Sequence, residues 1–200
     1  MIVKHIPIEV TSKQVGKPVV GDPADLTAYI LKPVEGITDK KRPAVLLCPG
    51  GGYRKLSRRE DQPVAMKYLA AGFHVFVLHY SLVPDVFPRA LMELALSMKL
   101  IREHGNEWNV DVKRIAVSGF SAGGHLACCL GTFWNKEWLY KALEVKPEMI
   151  QPNGMILCYP VITSEEYCHK GSFECLMGTE ASKKDVELRR LLSLEYQVGP

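Results

Sequence analysis

Two hydrophobic patterns follow one another along the chain. Polar and apolar residues alternate through residues 2–10 and again through 26–31. A period of two marks a half-buried strand, and the Gly21-Asp22-Pro23 turn between the two stretches predicts an antiparallel pair. From residue 43 the pattern changes. Residues 43–48, 73–78, 114–118 and 155–159 are short, largely apolar runs, as expected of strands covered on both faces. Between them, residues 63–71, 88–104 and 122–133 carry helical spacing, and Gly72 and Gly105 stop the first two. Strand and helix in alternation predict an α/β fold: a mostly parallel central sheet with helices on both faces. Ligands of such sheets bind beyond the carboxyl ends of the strands. Three loops leave those ends: 49–58, 119–124 and 159–163. After residue 164 the buried-strand pattern is lost, and the remainder is polar with helical stretches.

Composition narrows the class. A length of 200 residues fits one domain, here 1–200 with 161–200 as a cap-like excursion. Apolar residues at 47% and charged residues at 24% exclude disordered and low-complexity chains. Lys and Arg number 25 against 22 Asp and Glu, and a net charge of +3 gives no reason to expect nucleic acid or an anionic membrane as partner. No apolar run approaches the ~20 residues of a membrane-spanning helix. Residues 1–10 have neither the apolar stretch nor the small-residue cleavage site of a signal peptide. Cys48, Cys128, Cys129 and Cys158 sit in or beside apolar runs, and no C-x-x-C pair occurs. The six cysteines are therefore expected to be reduced and mostly buried, in a cytoplasmic protein, with Cys168–Cys175 left open as a disulfide.

The loops carry the chemistry. Gly119-Phe120-Ser121-Ala122-Gly123 reads G-x-S-x-G between a buried strand and an apolar helix. A nucleophile on so sharp a turn needs small neighbours two positions away, and it then stands at a helix N-terminus that favours developing negative charge. Cys48-Pro49-Gly50-Gly51-Gly52-Tyr53 follows the first buried strand, and its glycines leave N–H groups uncovered, as an oxyanion hole requires. The Ala122 N–H would add a second source of donors. No phosphate-loop or dinucleotide fingerprint is present. Arg54, Lys55, Arg58 and Arg59 read as a solvated loop, with steering of an anionic substrate as the other reading. Asp111 to Arg114 reads as a structural turn with a local ion pair.

With these residues in place, the chain resembles the first two thirds of an α/β-hydrolase of the acetyl-esterase and acetyl-xylan-esterase-like group, from about residue 26 to 194. The resemblance rests on Pro49-Gly50-Gly51-Gly52-Tyr53, on residues 80–84 leading into the long helix, on residues 114–125, and on Cys158-Tyr159-Pro160-Val161. It implies Ser121 as nucleophile and the N–H groups of Gly51, Gly52 and Ala122 as oxyanion donors. It implies short acyl esters, often acetylated sugars, as substrates, and no metal or organic cofactor. Cys48 departs from the His usual in this group. Tyr53, Tyr80, Tyr159 and Pro160 are candidates for the substrate wall.

In this fold the acid and the base follow the nucleophile in the order Ser, Asp/Glu, His. After Ser121 the only histidines are His125 and His169, and the only aspartate is Asp185. His125 lies one turn into the helix that Ser121 opens and reads as a packed histidine. His169 lies in the polar excursion, and Asp185 comes after it, which reverses the order. The expectation is therefore a serine esterase scaffold that lacks its last strands and stops before its acid and base, with an open sheet edge that invites pairing. The alternatives are a non-catalytic protein that binds small molecules or partners, and an arylformamidase or peptidase built on the same machinery.

Overall fold

The computed structural model of the chain describes residues 1–33 and 40–199. Residues 34–39, which the family resemblance spans, and Pro200, beyond which the acid and base were expected, lie outside the described residues. Strands β1 (Ile2–Ile8), β2 (Ala24–Ile30), β3 (Arg42–Cys48), β4 (His74–His79), β5 (Val110–Phe120) and β6 (Gly154–Cys158) form one sheet in the order β1-β2-β4-β3-β5-β6. The β1–β2 and β2–β4 pairs are antiparallel, while β3 runs parallel to β4 and β5, and β6 parallel to β5. Helices α1 (Ser12–Val15), α2 (Gln62–Ala70), α3 (Arg89–Glu103), α4 (Ala122–Phe133), α5 (Glu137–Ala142), α6 (Pro147–Ile150), α7 (Lys170–Met177), α8 (Thr179–Lys184) and α9 (Val186–Leu192) complete the described structure, with short 3-10 turns at Arg58–Glu60 and Leu194–Tyr196.

The strands divide their side chains between two cores, as a period of two dictates. Leu26, Ala28, Leu46, Phe76, Leu78 and Val117 face α3 and α4. Tyr29, Leu47, Val75 and Val77 face Ala65 and Leu69 of α2. Strand β6 differs from the expected fully buried run: it pairs only with β5, and Met155 and Ile156 are exposed. Its apolar sequence reflects the α4 side alone, where the Met155 sulfur packs against Gly131.

A buried ionic cluster joins the β1–β2 connection to α3. Arg89 donates from Nε to Glu93 Oε1 at 2.9 Å, and its Nη1 makes an ion-pair contact with Asp85 Oδ2 at 2.7 Å. Its Nη2 donates to the carbonyls of Gly21 and Asp22. Glu93 also accepts the backbone N–H and the hydroxyl of Ser81, and burial raises its pKa above the ordinary carboxylate value.

The segment read as a cap-like excursion packs on the main core through Phe173, Cys175, Leu176, Met177, Leu192 and Leu194. All six cysteines are free thiols, so the Cys168–Cys175 disulfide left open above is not formed. His125, on α4, bridges this segment to the glycine loop. The Tyr53 hydroxyl donates to its Nδ1 at 2.9 Å, and its Nε2–H donates to the Leu192 carbonyl at 2.9 Å. The sequence expectation of a packed histidine holds. Burial holds the ring neutral and lowers its pKa to about 4.

Two outcomes follow. Arg89→Met strands two buried carboxylates and is expected to lower stability by about 3–5 kcal/mol, read from urea unfolding. The His125 contribution runs with pH in a definite sense. Its folded pKa of about 4 lies below the unfolded value of 6.5, so the contribution is complete above pH 6.5 and is lost as the pH falls towards 4. That loss should amount to about 3 kcal/mol. In His125→Asn the fall in unfolding free energy across this window should be correspondingly shallower.

Candidate active site

Ser121 joins β5 to α4 with φ 52° and ψ −116°, a conformation that non-glycine residues rarely adopt. Its neighbours show why the pentapeptide must be small. A Cβ on Gly119 would stand 2.0 Å from the Gly123 carbonyl oxygen, and one on Gly123 would stand 2.1 Å from the Cys48 oxygen. Strand β5, helix α4 and the end of β3 therefore pass backbone against backbone. The turn is tied to β6 and to the segment that follows it, with Ser121 N–H donating to Cys158 O at 3.0 Å and Val161 N–H donating to Ser121 O at 3.1 Å.

The glycine loop follows β3 and folds over the same point. Gly51 and Gly52 have φ of 131° and 69°, and a Cβ on Gly51 would collide with the Lys55 carbonyl. The Gly50 N–H is already committed, donating to Glu60 Oε2 at 2.9 Å. The N–H groups of Gly51, Gly52 and Ala122 donate to no protein acceptor among the described residues. Beneath the loop, the Tyr80 hydroxyl donates to the Pro49 carbonyl at 2.7 Å, and Val83 N–H donates to Tyr53 O.

Gly51, Gly52 and Ser121 share a cleft of about 480 Å³ with Arg54, Lys55, Ser57, Arg59, Glu60, Tyr159, His169 and Gly171. Three of the four wall candidates do not line it. Tyr53 and Tyr80 are buried beneath the glycine loop, where His125 and Pro49 take their hydroxyls. Pro160 packs against Gly124 of α4. Tyr159 does line the cleft, and its hydroxyl donates to Glu60 Oε1 at 2.8 Å. Glu60 is thus a residue that sequence reading missed. It holds Gly50 on one side and Tyr159 on the other, and no spacing rule links residues 50, 60 and 159.

The histidines are placed more tellingly than their sequence positions suggested. His125 has both ring nitrogens occupied and lies under the site. His169 reaches the cleft because it caps α7, and its Nδ1 accepts the Ser172 N–H at 3.2 Å. Nδ1 also lies 2.8 Å from the Ser172 hydroxyl, and the direction of that bond sets which ring nitrogen carries the proton. Asp185 caps α9 by accepting the Leu188 N–H, away from Ser121. Among the described residues, no imidazole paired with a carboxylate stands beside the serine.

Known proteins place this architecture. The BD-FAE family profile matches residues 32–160. Among curated relatives, endo-1,4-beta-xylanase B of Butyrivibrio fibrisolvens is 34% identical over 168 residues, covering 80% of this chain and 25% of that protein. An acetylxylan esterase of Xylanibacter ruminicola is 30% identical over 142 residues, covering 70% and 27%. The chain thus spans about a quarter of the length of these relatives. The acetyl ester-xyloside bifunctional hydrolase of Caldicellulosiruptor lactoaceticus superposes with a TM-score of 0.77 at 30% identity, over 98% of this chain and 70% of that one. A carboxylesterase of Lactobacillus plantarum gives 0.76 at 28%, over 100% and 68%. The fold is that of an α/β-hydrolase, and the chain belongs to the BD-FAE family.

Proposed function

We propose that this cleft serves a serine carboxylic-ester hydrolase acting on short acyl esters, above all acetyl esters of sugars. One observation carries the reading: a strained serine at a helix N-terminus faces a cleft that it shares with glycine amides donating to nothing in the protein. The acetylxylan esterase and the carboxylesterase among its relatives support the ester class.

In the reaction, Ser121 Oγ adds to the ester carbonyl and its proton passes to a base. The carbonyl oxygen becomes an oxyanion that accepts hydrogen bonds from the N–H groups of Gly51, Gly52 and Ala122. These donors are set before the reaction begins, so charge development requires no reorganisation. The positive end of α4 adds to the same stabilisation. Collapse of the tetrahedral species expels the alcohol and leaves an acyl-serine. Water then repeats the attack, releasing the acid and restoring the hydroxyl. The chemistry calls on protein groups and water alone. Neither histidine after Ser121 is arranged as the base: His125 is committed on both nitrogens, and His169 has its Nδ1 turned to Ser172 with no carboxylate partner among the described residues. From these residues alone, the oxyanion donors and positioning should supply roughly 10³–10⁴-fold over water, far short of a full triad. The same arrangement favours a second reading, retention of an acylated sugar without turnover.

The 200-residue chain is accordingly expected to hydrolyse p-nitrophenyl acetate slowly, and the part of that rate owed to the oxyanion donors and positioning to survive in Ser121→Ala. Robust turnover that is lost in Ser121→Ala would show instead that a base does act on the serine. Binding of an acetylated xylo-oligosaccharide with no release of acetate would establish the second reading.

A further inference from the structure

We infer that the cleft accepts an ester whose sugar or acyl portion carries a carboxylate, an acylated uronic acid being the class that fits, and that Arg54, Lys55 and Arg59 receive that carboxylate. The inference rests on the esterase reading of the cleft and names its substrate class.

The chain as a whole is nearly balanced in charge, with 25 basic and 22 acidic residues. The cleft is not. Arg54, Lys55 and Arg59 line it against a single carboxylate, Glu60. None of the three cations has an acidic partner within ion-pair distance among the described residues. Glu60 does not cancel them by contact, because one of its oxygens takes the Gly50 N–H and the other the Tyr159 hydroxyl. Glu165, Glu166 and Glu174 line the neighbouring cavity instead. Arg58, in the middle of the same basic run, is absent from the cleft lining, so the loop sorts its cations rather than scattering them.

The uncharged groups lean the same way. His169 adds an imidazole whose Nε2 can donate to a bound carboxylate. The amides of Gly51, Gly52 and Ala122 are donors as well. The hydroxyls of a neutral sugar find acceptors in Ser57, Tyr159 and Glu60, whereas Arg54, Lys55 and Arg59 supply donors alone. A carboxylate offers acceptors only, and planar guanidinium groups match it in geometry. The cleft volume of about 480 Å³ lies in the range of small-ligand sites and accommodates a monosaccharide unit beside the serine. Because these ion pairs are exposed, each should contribute a factor of only a few, and the preference should be salt-sensitive.

The test titrates the intact chain with glucuronic acid and with glucose, two rings that differ in a carboxylate against a hydroxymethyl group, and follows the amide resonances of Gly51, Gly52 and Ser57. Glucuronate is expected to bind about tenfold more tightly than glucose. That advantage should fade as salt rises from about 20 mM to about 200 mM, and in the double variant Arg54→Gln/Arg59→Gln it should fall to no more than the factor of a few that Lys55 supplies. Arg58→Gln removes one charge from the same loop and should leave the preference in place. Equal affinities, no perturbation of the cleft by either sugar, or an equal loss in Arg58→Gln would each overturn the inference. Hydrolysis of the neutral p-nitrophenyl acetate, compared with Ser121→Ala, reports separately on the esterase reading. Ser121-dependent hydrolysis without a glucuronate preference would overturn the substrate class alone.

Discussion

The site depends on backbone passing backbone without side chains between. Where β5 turns into α4, the chain comes so close to itself and to the end of β3 that no Cβ fits at Gly119 or Gly123. In the midst of that crowding Ser121 holds its unfavourable conformation, with φ 52°. The surrounding packing sustains the strain. Alternate residues of β3, β4 and β5 fill cores on both faces of the sheet, and helix α4 is buried along almost its whole length. The strained turn is thus a local cost that the burial of the sheet and its helices offsets.

Much of this was readable from the residues. Strand–helix alternation, the extent of α4 and the G-x-S-x-G turn follow from periodicity and from the need for small residues at fixed offsets, which are local properties. What was not readable is set by tertiary position. Tyr53 and Tyr80 are aromatic residues beside a glycine loop, and nothing local tells a cleft wall from a buried support. Their hydroxyls found His125 and Pro49 below the loop. Glu60 joins residues 50 and 159, which are distant in sequence, and His169 enters the cleft only because α7 folds back over it. The docking of the last segment did leave a trace. Phe173, Leu176 and Met177 stand at helical spacing, and all three are buried, although the polar residues around them mask the pattern.

Charge shows the same contrast between whole and part. A net charge of +3 says nothing about partners, yet the residues around Ser121 are strongly unbalanced. Four basic side chains within six positions look like a solvated loop in sequence. The fold turns three of them towards the serine and spends the nearest carboxylate on structural hydrogen bonds. Composition averages over a surface, whereas recognition depends on which groups are left without partners.

The bridge through His125 also bears on the order in which the chain can assemble. Tyr53 lies 72 residues before the histidine that accepts its hydroxyl, and Leu192, which fixes the other ring nitrogen, lies 67 residues after it. A chain emerging from the ribosome can form β3, β4 and the serine turn well before Leu192 has been made. Until then the imidazole has one partner instead of two, and the support beneath the glycine loop is incomplete. The loop that would receive the oxyanion is therefore secured only once α9 has been made.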